Sequence, residues 1–234
     1  MEKTNKRPSP FSRLELLIGE EAVASFSCKT VLILGLGGVG GYVAEALARS
    51  GIGKLILVDA DVIDITNINR QLIALGSTVG KKKVELWKQR IYDINPSCEV
   101  LTIDSFITPE NGEVLFNHSI DFFVDACDTV ATKKYVLKKC LALKIPFLSC
   151  MGTAKRMDPS KLQIADLKKT YNDPLARILR KFVKDEGITG KIPVLFSTEV
   201  AMPIKELGST AFVPSSAGLL IASYVVRSLL AKEQ

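Results

Sequence analysis

An arginine, a lysine and three amides follow a glycine-rich turn and an acidic pair. They are Asn67, Asn69, Arg70 and Gln71 in N-I-N-R-Q, then Lys83 in G-K-K-K-V-E. Arginine presents a fork of donors matched to phosphate, and lysine supplies a compact charge, so gripping a triphosphate is one reason to crowd a loop this way. Downstream lies Asp125-Ala126-Cys127-Asp128-Thr129. A carboxylate such as Asp128 beside a triphosphate suits Mg²⁺, which takes only one or two carboxylates and keeps several waters. Asp128 also stands just before a helical pattern, where it would serve equally as an N-cap. Upstream, Gly35, Gly37, Gly38 and Gly40 form G-x-G-G-x-G, a turn whose backbone N–H groups can approach phosphate. Asp59 and Asp61 follow the next apolar run, where a carboxylate holds a ribose, although Asp61 would also suit the opening of a turn. Turn and acid alone fit NAD as well as ATP.

These residues need a frame. Val31–Leu34 and Lys54–Val58 read as buried strands around a helix carrying Val43, Ala44, Leu47 and Ala48, with Gly51 as its C-cap. Strands are expected at 98–103, 120–126, 146–150, 162–167 and 192–197. Helices are expected at 79–92, with Lys81–Lys83 at its start, at 130–143, from the Asp173-Pro174 cap to about Lys184, and at 217–231, with a helical turn at 109–116. Phe11–Phe26 reads as one helical arm with Leu14, Leu17, Ile18 and Val23 on its apolar face, and 64–76 and 203–216 read as loops. The alternation predicts an α/β fold: a Rossmann-like, doubly wound, mainly parallel sheet with helices on both faces, completed by a smaller C-terminal extension. Residues 1–10 are expected to be disordered, and 11–234 to form one domain.

The chain has 234 residues and a net charge of +6, and residues 155–191 hold ten Lys/Arg against five Asp/Glu. That stretch fits a polyanion such as RNA, or a solvated basic face. Lys155, Arg156, Lys168, Lys169, Arg177, Arg180 and Lys181 are the candidate contacts. Five scattered cysteines without a C-x-x-C pair, and one histidine, His118, lack the spacing of a structural zinc site. They read as thiols of a reducing cytoplasm. The apolar run 217–226 is shorter than the ~20 residues a bilayer requires, so no membrane association is expected.

The order G-x-G-G-x-G, D-x-D, N-x-x-R-Q, G-x-x-K-V-E, D-x-x-D across residues 11–150 resembles the ATP-dependent adenylyltransferases of the ubiquitin-activating, ThiF and molybdopterin-synthase-activating type, which adenylate a carboxylate. The resemblance implies that Gly38 and its neighbours approach ATP and that Asp59 holds the ribose. It implies that Asn67, Arg70 and Lys83 hold phosphates, with Asp61, Asn69, Gln71 and Thr129 nearby, and that Asp128 holds Mg²⁺. Arg13 matches the arginine these enzymes lend across a homodimer interface, which implies a dimer.

Members that activate sulfur-carrier proteins usually carry two C-x-x-C zinc pairs, absent here, so no zinc is expected. Instead Gly152-Thr153-Ala154, Met157-Asp158-Pro159, Ile164–Leu167, Lys169-Thr170, Asp173–Arg177 and Phe196–Glu199 resemble the tRNA threonylcarbamoyladenosine dehydratase subgroup. The resemblance implies ATP-dependent cyclisation of threonylcarbamoyladenosine in tRNA through an acyl-adenylate, with a sulfur-transfer protein as a candidate further partner. Activation of the C-terminal glycine of a sulfur carrier is the alternative within the same chemistry. A nicotinamide-dependent oxidoreductase would leave Asn67, Arg70 and Lys83 unexplained, and a non-catalytic RNA-binding scaffold would not turn over ATP.

Overall fold

A computed structural model describes residues 9–231. In chain order the elements are α1 (Ser12–Ile18), α2 (Glu20–Phe26), β1 (Thr30–Leu34), α3 (Gly40–Arg49), β2 (Lys54–Val58), α4 (Lys83–Ile94) and β3 (Glu99–Ile103). They continue with β4 (Phe122–Asp125), α5 (Val130–Ala142), β5 (Phe147–Cys150), β6 (Leu162–Asp166), α6 (Pro174–Asp185), β7 (Pro193–Ser197) and α7 (Phe212–Leu230). Short 3-10 turns lie between them.

The seven strands lie in the order β3-β2-β1-β4-β5-β7-β6, and only β6 runs antiparallel, against β7. Strand residues alternate between faces, so β1 sends Val31 and Ile33 to one core and Leu32 and Leu34 to the other. The first core is closed by α3, α4 and α7 through residues such as Leu47, Trp87 and Ile221. The second is closed by α5 and α6 through Val136, Leu137, Ala176 and Leu179. This is the doubly wound sheet read from the alternation of elements, with β6 and β7 completing it.

Several boundaries differ from expectation. The N-terminal arm is two helices, because Gly19 takes φ +93° and interrupts the first after Ile18. Leu17 is exposed rather than packed, and the buried members are Val23 and Phe26. The expected helix at 79–92 begins only at Lys83. Residues 79–82 instead turn at Gly80, φ +83°, and pair with 61–63 through Ile63 N to Lys81 O at 2.8 Å, Gly80 N to Ile63 O at 2.8 Å and Lys83 N to Asp61 O at 3.1 Å. The closing helix starts at Phe212, inside the expected loop, and runs 19 residues to Leu230, where 217–231 is expected. By length and composition it could cross a membrane. Its residues Val213, Ala217, Ile221, Val225 and Leu229, spaced by four, lie in the first core. The expected disorder at 1–10 falls mostly on positions 1–8, outside the described residues.

Candidate active site

Strand order reverses between β1 and β4, and there the carboxyl ends of the strands open into a cleft of about 620 Å³. Its walls come from the turn after β1 (Gly35, Gly37, Gly38), the end of β2 (Asp59, Asp61), the loop after β4 (Ala126–Thr129) and the loop after β5 (Met151–Ala154). Asn67, Arg70, Gln71 and Lys83 line it too. The amides and cations thus face the same space as the glycine turn and Asp128.

The glycines divide by role. Gly35 takes φ +90°, and a Cβ there would sit 2.8 Å from Ala126 O. A Cβ on Gly40 would lie 1.8 Å from Gly35 O. Gly40 does not line the cleft and serves the tight fold of the turn itself. Asp59 clamps that turn: Leu36 N donates to its Oδ2 at 2.7 Å and Asp61 N to its Oδ1 at 2.8 Å. Burial pushes the Asp59 carboxyl above its ordinary value, against the pull of Lys83 and the two amides.

The N-I-N-R-Q loop is built around its arginine. Asp64 caps a 3-10 turn at Ile65–Asn67, and Asn67 closes the capping box by accepting from Asp64 N at 3.2 Å. Arg70 Nη1 donates to Thr66 O at 2.9 Å and Asn69 Oδ1 at 3.0 Å, while Asn69 Nδ2 donates to Ser209 O at 3.0 Å. Asn69 therefore orients Arg70 from outside the cleft. Gln71 is buried, and its Oε1 has no hydrogen-bond partner among the described residues.

Asp128 is exposed at the mouth of the cleft, and Thr129, not Asp128, is the N-cap of α5, with no side-chain capping bond. Its carboxylate accepts a hydrogen bond from the Thr129 hydroxyl at 3.4 Å. The capping alternative is thereby removed, and the donor set fits Mg²⁺ held by one carboxylate and substrate phosphates. Among the described residues no cluster of three or more His, Cys, Asp or Glu gathers to hold a metal on its own.

The other acid of D-A-C-D behaves oppositely. Asp125 is 1% exposed and pairs with the buried Lys133 at 2.9 Å. Burial works against the Lys133 charge, yet Asp125 holds its pKa above the ordinary value. Lys133 was missed in the sequence. Its signal was a charged residue within a stripe, Thr132, Lys133, Val136, Leu137 and Cys140, that is otherwise core.

Cys127 and Cys150 also line the cleft. Burial, with Asp125 nearby, drives the Cys127 thiol well up, and burial takes Cys150 to about 12. Both are protonated thiols at neutral pH.

Arg13 lies on α1, exposed and outside the cleft of its own chain. Of the basic candidates, Lys168, Lys169, Arg177 and Lys181 are exposed. Arg156 is a correction: it is 3% exposed, and donates to Gly152 O at 2.7 Å, Asn172 O at 2.9 Å and Glu199 O at 3.3 Å. Arg180 is half-buried and donates to Thr170 O at 2.8 Å, and Lys155 is occupied by the carbonyls of Ile204 and Lys205. These three hold loops together.

Residues 11–234 match the model of the ThiF family. The chain is similar to a tRNA threonylcarbamoyladenosine dehydratase of Bacillus subtilis strain 168, 47% identical, with 94% of each chain covered. It is similar to the crystal structure of E. coli tRNA N6-threonylcarbamoyladenosine dehydratase in complex with ATP, with a TM-score of 0.91, 36% identity, and 96% of this chain and 95% of that one covered. The molybdopterin-synthase adenylyltransferase of E. coli K12 is 31% identical over 73% of this chain and 65% of its own.

Proposed function

This chain belongs to the ThiF family, and we propose that it is an ATP-dependent dehydratase of N6-threonylcarbamoyladenosine in tRNA. The observation that carries this reading is the 47% identity, over 94% of both chains, to a protein of that name.

The threonyl carboxylate is ionised at neutral pH, so its activation needs positioning and charge neutralisation rather than a strong base. A carboxylate oxygen attacks the α-phosphorus of ATP, the bond to the β-phosphate breaks, and pyrophosphate leaves. A nucleophile within the same substrate side chain then attacks the acyl carbon, closes a ring and releases AMP. Arg70 and Lys83 oppose the charge that develops on the phosphates. Asn67 retains its NH₂ group for the nucleotide, and Gln71 lines the same cleft. Asp128 is the residue that would hold Mg²⁺, which when bound supplies charge neutralisation at the phosphates.

Arg13 is the arginine we assign to the partner's cleft in a homodimer. The exposed Lys168, Lys169, Arg177 and Lys181 are assigned to tRNA phosphates. Five free cysteines suit the reducing cytoplasm, where we place the protein.

The test is nucleoside mass spectrometry of threonylcarbamoyladenosine-bearing tRNA incubated with protein and ATP. Loss of one water from that nucleoside, with AMP and pyrophosphate formed, is the expected result. ATP–pyrophosphate exchange stimulated by a small carrier protein instead of by tRNA would overturn it in favour of carrier activation.

A further inference from the structure

Lys133 lies beneath the cleft, at the second turn of α5, with its ammonium fully out of solvent. Each of its three N–H groups has an acceptor: Asp125 Oδ2 at 2.9 Å, Ser149 Oγ at 3.2 Å and Cys150 O at 2.8 Å. Asp125 is equally committed. Its Oδ2 also accepts from Ser149 Oγ at 2.5 Å, while its Oδ1 accepts from Cys127 N at 3.2 Å and Cys127 Sγ at 3.1 Å. The network therefore fixes backbone at two places. One is residue 127, directly before Asp128. The other is Cys150, directly before the wall Met151–Ala154.

Stability alone does not call for such a network, since apolar residues of similar volume replace buried ion pairs at little or no cost. What an apolar pair lacks is direction. A methionine at 133 would fill the space without holding the Cys150 carbonyl, and an asparagine at 125 would no longer match the charge above it.

We propose that Lys133, with Asp125 and Ser149, is a positioning residue that locks the Asp128 loop and the 151–154 wall at a set separation, so that the nucleotide and the acceptor meet in register. The proposal rests on the dehydratase reading for what the two walls hold. The contribution is geometric: misplacing reacting groups by about 1 Å costs on the order of a hundredfold in rate.

The decisive variant is Asp125→Asn combined with Lys133→Met, which removes both charges together. The expected result is a folded protein with a modestly lowered melting temperature, since the Cys150 carbonyl loses its donor, an ATP dissociation constant within about twofold, and a kcat for tRNA dehydration about a hundredfold lower. Amide hydrogen exchange should quicken together in peptides covering 126–129 and 150–154. A double variant that melts and turns over as wild type does, or whose two loops exchange no faster, overturns the proposal. Where the double variant does not fold, Ser149→Ala decides with the ion pair intact: faster exchange in both loops with about tenfold lower kcat supports the lock, and unchanged values overturn it. If the wild-type protein does not dehydrate the tRNA, the dehydratase reading fails on its own, and the exchange measurement still judges the lock.

Discussion

The Lys83 ammonium lies 2.6 Å from Asp61 Oδ2 and 3.9 Å from Asp59 Oδ1, with its own side chain only 5% exposed. The bridge between 61–63 and 79–82 brings it there by starting α4 at Lys83 itself. Lys83 thus neutralises the acidic end of β2 and lines the cleft at once.

Lys83→Met should lower kcat/KM for ATP by about a hundredfold, because the charge we assign to the phosphates disappears from a partly buried site. It should also change the pH dependence of stability. The Asp59 carboxyl is held above its ordinary value in the fold, so its protonated form favours the fold at low pH, and that contribution is lost as pH rises through the folded value. Removing Lys83 takes away a lowering influence and carries the loss to higher pH. Melting temperatures of the variant and wild type measured between about pH 4 and 7 give the comparison.

Asp128→Asn is expected to reduce dehydration by at least about a hundredfold with no fall in melting temperature. Thr129 occupies the N-cap position of α5, so the carboxylate has no helix to hold. A destabilisation of about 1 kcal/mol, the usual cost of losing a cap, would assign it to the helix instead.

Mixing inactive Arg13→Ala with inactive Asp128→Asn should restore activity. In the mixed dimer one cleft has an intact Asp128 and faces an intact Arg13 from the other chain, so random exchange restores about a quarter of wild-type turnover. Turnover assays after subunit exchange decide it, and no recovery would place Arg13 in its own chain's chemistry or outside it.

Exchanging Lys168, Lys169, Arg177 and Lys181 for alanine should weaken tRNA binding and flatten its salt dependence, by about 0.7–0.9 in the log–log slope for each phosphate no longer neutralised. ATP binding should be unaffected. Fluorescence anisotropy of labelled tRNA across a salt series measures both.

Alkylation at neutral pH should spare Cys127 and Cys150 and modify the exposed Cys28. Cys150 titrates at about 12, so its thiolate is scarce until strongly alkaline pH, and its reaction rate should climb as pH rises toward that value. Peptide mapping after iodoacetamide treatment reads the order, and full dehydratase activity should survive the labelling.

The motif residues were legible because their chemistry is local in type. An arginine flanked by amides, a glycine turn and an acid at a strand end carry meaning wherever the chain takes them. The element order was legible for the same reason, since period-2 and period-3.6 patterns are short-range. The division of labour inside the motifs was not. Asp125 and Asp128 are three residues apart with the same side chain, yet one is buried against Lys133 and the other is open to the cleft. Arg156 and Arg177 both read as basic surface, and only Arg177 is on the surface.

What the sequence determined by itself was therefore the alternating α/β frame and the family likeness, both of which depend on neighbours in the chain. Which charges are spent inside and which remain for ligands was decided only by the tertiary structure. That decision rests on partners far along the chain: Lys133 with Ser149 and Cys150, Arg156 with Asn172 and Glu199, Asn69 with Ser209. A charge leaves water only where acceptors converge on it, and such convergence exists only once the sheet has brought distant loops to one edge.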